Sequence, residues 1–174
     1  MSAGLDMLGE NNWLSRHASA EGVNFINVLE DFLKLYKDVM KREEYLRLPL
    51  SLFSNSNLGV LEVVVKTLKE NYALDYCKIA KFLGRDDRTI WTSYKNAVRK
   101  YSSEFKLDES GMFVPGVIFS NRSLSPLETL TIYARDVLNM SFHELSITLN
   151  RAYSTLWISY KHGKLKLEKN ERTS

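Results

Sequence analysis

The 174-residue chain is 44% hydrophobic, enough for a real core in one ordinary domain or two or three very small ones, and its net charge is +3. A single cysteine, Cys77, excludes an internal disulfide, and histidines at 17, 143 and 162 offer no ligand spacing, so neither a metal nor a cofactor is expected. No apolar run approaches the roughly 20 residues of a membrane helix, and the first residues follow no signal-peptide pattern; a globular cytoplasmic protein without a membrane partner is expected.

Residues 1–47 hold six Lys/Arg against eight Asp/Glu. Within them, Asn24–Leu46 is predicted to form a helix about 35 Å long. Phe25, Val28, Leu29, Phe32, Leu33, Leu35, Tyr36, Val39 and Met40 make an apolar stripe opposite Asp31, Lys34, Asp38 and Lys41. At about 160° the stripe is broader than a two-stranded coiled-coil seam. It must be buried either on the rest of the chain or in a homodimer through residues 24–46, and both readings stand.

From residue 48 onward the chain repeats itself. Pro49–Lys100 aligns without a gap to Pro115–Lys166, sharing Phe-Ser-Asn at 53–55 and 119–121, Leu58/Leu124, Leu61-Glu62/Leu127-Glu128, Leu83/Leu149, Arg85/Arg151, Thr89/Thr155, Trp91/Trp157 and Ser-Tyr-Lys at 93–95 and 159–161. Two copies of one small module are the simplest account. The predicted organisation is an N-terminal packing or dimerisation segment (1–47), a first module (48–105), a linker (106–113) and a second module (114–174).

Each module opens with an extended, Pro-containing segment and then turns helical. Ser125-Pro126-Leu127-Glu128 is a capping box with Pro at the first helical position, matched in the first copy by Gly59 and Glu62. First helices are therefore predicted over Val60–Tyr72 and Pro126–Leu138. The next starts are Asp75 and Ser141, the latter with Glu144 at capping-box spacing. Tyr76–Leu83 makes about two turns, followed by Gly84-Arg85 and a new cap at Asp86 or Asp87. A short helix, a tight Gly-containing turn and a longer helix make a helix-turn-helix pattern.

At 100° per residue, Ile90, Tyr94, Ala97 and Val98 share the face of the third helix that meets the preceding helices, while Arg88, Thr92, Lys95 and Arg99 line the opposite side. Lys78–Lys100 carries seven basic residues against Asp86 and Asp87, a footprint for a polyanion. Arg and Lys on such a stripe suit guanine edges or phosphates, and Thr suits a base or a thymine methyl. Trp91, on the border of the two faces, is expected to pack against its neighbours, and Cys77, beside Ile79 and Ala80, to behave as a small buried hydrophobe.

The stretch Tyr76–Lys100 resembles the helix-turn-helix of region 4 of bacterial sigma factors and of LuxR-type regulators. Ile79, Ala80, Leu83 and Gly84 match its scaffold positions, and Ile90 and Ala97 its buried recognition-helix positions. The resemblance covers residues 58–100 and 124–166; Trp91, Trp157 and the tandem arrangement depart from it. It implies a transcription-linked DNA-binding role.

The second copy differs where it matters. Positions 88, 92, 95 and 99 become Ser154, Ile158, Lys161 and Leu165, and Asp86 becomes Ala152, leaving Ser154 to cap one turn later. Arg151, Lys161, Lys164 and Lys166 remain for weaker phosphate contacts, so the first module is expected to dominate affinity. No phosphate-binding glycine loop and no partnered nucleophile is present, so catalysis is not expected. The sequence therefore predicts an all-α regulator of double-stranded DNA. Lys78, Lys81 and Lys100 would position the first module, and Arg85, Arg88, Thr92, Lys95 and Arg99 would form its recognition surface. The alternative is a sigma-like adaptor contacting RNA polymerase, or a module that binds only protein.

Overall fold

The computed structural model describes residues 46–108 and 110–171, so the predicted 24–46 helix and its homodimer reading lie, Leu46 excepted, outside the described residues. The described chain is mostly helical, with one short strand pair. Each element starts again 66 positions on. Strand β1 (Arg47–Pro49) returns as β2 (Phe113–Pro115), and a 3-10 turn at Leu50–Ser54 returns at Gly116–Ser120. Helices α1 (Val60–Glu70), α2 (Tyr76–Leu83) and α3 (Asp87–Lys100) return as α4 (Pro126–Ile132), α5 (Phe142–Thr148) and α6 (Tyr153–Glu171).

The helix starts follow from their caps. The Ser125 hydroxyl accepts from the Glu128 N–H at 3.3 Å while the Glu128 carboxylate accepts from the Ser125 N–H at 2.7 Å; Ser141 and Glu144 do the same at α5. At α1 only half of that box exists: Glu62 accepts from the Gly59 N–H at 2.8 Å, and a glycine has no side chain to return the bond. Asp75 and Asp86 cap α2 and α3 by accepting from the N–H groups of Lys78 and Thr89, both at 2.8 Å. Contrary to expectation, Ser154 is not a cap, because α6 already begins at Tyr153. The first helices are also shorter than predicted: α1 ends at Glu70, and after Ile132 the chain continues to Val137 as a π turn.

The turns repeat as faithfully as the helices. Positive φ occurs at Ala73 and Asn139, and again at Gly84 and Asn150, each pair 66 positions apart. Gly84 and Asn150, residues that reach the left-handed region at little steric cost, let the chain turn sharply into α3 and α6.

β1 and β2 pair antiparallel in the register Arg47↔Pro115, Leu48↔Val114, Pro49↔Phe113. Leu48 and Val114 are equivalent residues, so this register is symmetric. Its flanks are symmetric too: the Leu50 N–H donates to the Met112 carbonyl at 2.8 Å and the Gly116 N–H to the Leu46 carbonyl at 2.7 Å. The rings of Phe53 and Phe119, again equivalents, meet at 6.0 Å. An antiparallel pair has a local two-fold axis. Because the same helices hang from both strands, the two halves are related by that axis.

Contacts between the halves are reciprocal. α2 packs on the 3-10 turn at Gly116–Ser120, α5 on the turn at Leu50–Ser54, and α1 against α4. The described residues accordingly belong to one compact unit. Leu48, Val114, Phe53, Phe119, Leu68 and Leu130 lie at its centre with 1% or less of their surface exposed. Each such side chain contributes about 1.5–3 kcal/mol. In the stretch expected as a linker, 106–113, Leu107 packs on this core and Phe113 is the first residue of β2.

Candidate nucleic-acid interface

α3 sorts its side chains as the 3.6-residue period dictates. Ile90 and Ala97 are fully buried and Tyr94 and Val98 partly so, whereas Arg88, Thr92, Lys95 and Arg99 are exposed on the opposite side. Lys78 and Lys81 on α2 are exposed as well, Lys78 lying 3.5 Å from Asp75. Arg99 keeps one weak local bond, to Asn96 at 3.3 Å. The stripe is thus three cations and a hydroxyl, and α2 exposes two more cations. At its N-terminal end Asp86 and Asp87 are exposed; the hydrogen bonds from Thr89 hold the Asp86 carboxyl below the ordinary carboxylate range and keep it charged.

Several cations predicted to contact DNA are committed elsewhere. Lys100 forms an ion pair with Glu62 at 2.8 Å that ties α3 to α1, and its equivalent Lys166 pairs with Glu128 at the same distance. Burial raises the Glu128 carboxyl, but the bonds from Lys166 and Ser125 outweigh it and leave the group below its ordinary range. Arg85 and Arg151 are half-buried, not displayed. Arg151 donates to the Leu58 carbonyl of the other half at 2.8 Å, and the Nε of each arginine is buried without a partner. Burial lowers both guanidinium groups, and beside Arg85 the charge of Arg122 adds to it. Lys164 bonds Asp136 at 3.3 Å, which raises its ammonium. These partners lie far away in sequence.

On α6 the equivalent stripe is Ser154, Ile158, Lys161 and Leu165, all exposed, with Ile158 at 46% and Leu165 at 45%. Lys161 is the cation it shares with α3.

Two expectations are corrected. Trp91 is 50% exposed and Trp157 44%, so neither is a packed lid. Each instead lies under a lysine one turn on: the Lys95 Nζ is 5.6 Å from the Trp91 ring centroid, and the Lys161 Nζ 5.1 Å from that of Trp157. Cys77 is also exposed, because two residues of helix put it 200° away from Ile79.

The residues shared by the two copies now divide into two sets. Tyr94 and Tyr160 hold α3 and α6 to the preceding helices through their hydroxyls, bonded to Glu70 at 3.1 Å and Asp136 at 2.9 Å. Their rings meet Tyr76 and Phe142 edge-on, at 5.8 and 5.4 Å. Asn55 and Asn121 accept from the N–H two residues on, closing equivalent turns. The Trp–Lys pairs are shared, paired with each other and, unlike the Glu62–Lys100 and Glu128–Lys166 pairs, exposed at both members. Among the described residues no group of three or more His, Cys, Asp or Glu could hold a metal ion, and no helix is long and apolar enough to cross a membrane. The chain matches no family model, no curated protein and no solved structure.

Proposed function

We propose that the protein is a transcriptional regulator that binds double-stranded DNA. In this reading α2, the Gly84–Asp86 turn and α3 act as a helix-turn-helix unit, α5 and α6 as a second, and α3 enters the major groove. One observation carries it: Arg88, Thr92, Lys95 and Arg99 share an exposed face of α3 whose other face is anchored by the buried Ile90 and Ala97. A rigid helix with that stripe presents guanidinium and ammonium donors to base edges and phosphates without reorganising. Lys78 and Lys81, exposed on α2, supply the backbone contacts.

A second reading, docking on RNA polymerase or another protein of the transcription machinery, is favoured by Ile147, Ile158 and Leu165, which are 67%, 46% and 45% exposed. The two separate in a duplex-binding titration across salt concentration. A DNA regulator binds random duplex and loses affinity linearly in the logarithm of salt, and Arg88→Ala and Lys95→Ala each weaken specific binding by roughly 1–3 kcal/mol where they contact a base. A protein-docking module binds neither duplex nor heparin at low salt.

A further inference from the structure

A two-fold symmetric reader and a DNA duplex have something in common. The two strands of a duplex are related by two-fold axes perpendicular to the helix, and dimeric helix-turn-helix proteins exploit this by placing one recognition helix in each of two inverted half-sites. Here the two-fold is inside a single chain. The Leu48↔Val114 pair lies on it, the Phe53–Phe119 contact spans it, and α3 and α6 start at equivalent residues, Asp87 and Tyr153.

The exposed residues of α3 and α6 fall into two classes. Trp91 and Lys95 are identical to Trp157 and Lys161, and they hold the same ring-to-ammonium arrangement at 5.6 and 5.1 Å. Arg88, Thr92 and Arg99, by contrast, are replaced by Ser154, Ile158 and Leu165. A duplex carries the same two classes of feature. Its sugar-phosphate backbone is alike at symmetry-related positions, whereas its base edges need not be. A half-exposed indole can lie on a deoxyribose while its N–H donates to a phosphate oxygen, and a lysine across its face brings an ammonium to the same phosphate. The substituted positions suit different bases: Arg88 and Arg99 suit guanine, and Ile158 and Leu165 suit thymine methyl groups.

We infer that one chain binds DNA as a built-in dimer, its Trp91–Lys95 and Trp157–Lys161 pairs gripping equivalent backbone positions in two inverted half-sites of unequal base sequence. This rests on the DNA-binding reading above and adds to it the form of the site, the stoichiometry and the role of the repeated tryptophan. It also revises the expectation that the first half dominates: base readout is richer there, but the backbone grip is shared equally.

The test uses the full chain. A selection from a random duplex pool should yield two inverted half-sites of unequal sequence, guanine-containing on one side and A·T-rich on the other, with one chain per duplex by sedimentation. Trp91→Ala and Trp157→Ala should each weaken binding roughly tenfold or more, on selected and random duplex alike, the value of one hydrogen bond to a charged group. Lys95→Ala and Lys161→Ala should each reduce the salt slope by about 0.9, as one phosphate contact requires. Both lysines project into solvent, so they decide the matter even where a tryptophan variant melts early. The inference is overturned by a single half-site, by a direct repeat, by two chains per duplex, or by Trp157→Ala and Lys161→Ala binding like the parent while Trp91→Ala and Lys95→Ala do not. A parent chain that binds no duplex at low salt overturns the DNA-binding reading itself, and with it this one.

Discussion

Removing the carboxylate of Glu70 should cost this protein more stability than its place at the end of a helix suggests. Lys66, on α1, is a fully buried lysine, with none of its side chain exposed; its ammonium contacts both Glu70 carboxylate oxygens at 2.6 Å, and Glu70 is 19% exposed. The Phe105 ring, 5.7 Å from the ammonium, helps close off water. Glu70→Ala leaves that ammonium buried and unpaired, at about 3–5 kcal/mol, and takes the acceptor from the Tyr94 hydroxyl as well. For a unit of this size the melting temperature should fall by roughly 10–20 °C. Lys66→Met removes the charge that needs compensating and leaves Glu70 with some access to water and with Tyr94. It should be neutral or stabilising, within about 1.5 kcal/mol. The second half carries Ile132 at the equivalent position, partly buried on the same helix face. Thermal melts followed by circular dichroism, with urea titrations for the free energies, check both variants. Glu70→Ala melting within about 2 °C of the parent, or Lys66→Met costing as much as Glu70→Ala, would refute the account of an enclosed charge that depends on its partner.

Ala73, exposed and at φ 54°, holds a left-handed conformation without the amide side chain that Asn139 has at φ 55°, so Ala73→Gly should raise stability by about 0.5–1 kcal/mol in urea titration. Gly163 stands where the first half has Ala97, and a Cβ there would lie 2.6 Å from the Ile132 Cδ1. Gly163→Ala should therefore gain no helix-propensity benefit and lose up to about 2 kcal/mol, whereas Gly163→Ala with Ile132→Val should recover that loss; equal melting of single and double variants would refute the coupling. Acid should unfold the protein earlier than neutral conditions do: Asp75, Asp86, Glu128 and Glu144 are all held below the ordinary carboxylate range when folded. Their contribution is complete above the unfolded range near pH 4 and is lost as pH falls through the lower folded values. Melting temperature should be flat from pH 7 to about 5 and drop below about 4.

The parts of this fold legible in the sequence are those governed by neighbouring residues. Ser125 with Glu128 and Ser141 with Glu144 announce helix starts because each box closes within three residues. The face occupied by Ile90 and Ala97 is fixed by helical geometry alone. The role of a cation is not, because it depends on what folds against it. Lys100, Arg151 and Lys164 read as DNA-backbone contacts by charge, yet they are bonded to Glu62, the Leu58 carbonyl and Asp136, which lie 38, 93 and 28 residues away. The packed position expected for Trp91 failed for a related reason: a border position on a wheel is inside or outside according to whether a second element covers it, and among the described residues none does.

The repeat holds more information than either copy. A residue kept in both halves for the fold should be buried or bonded, as Phe53 and Phe119, Tyr94 and Tyr160, and Glu62 and Glu128 are. One half is free to change where a compensating change sits in contact. Where the first half has Lys66 and Ala97, the second has Ile132 beside Gly163, and the glycine makes room for a side chain that an alanine would crowd. Trp91 and Trp157 meet neither condition. They are costly to expose, they are half in solvent, and a lysine one turn away covers each in the same way. Packing among the described residues therefore gives no reason for their sameness. In the DNA-binding reading proposed above, the requirement lies outside the fold, in a surface that presents the same chemistry twice about a two-fold axis, as a duplex backbone does.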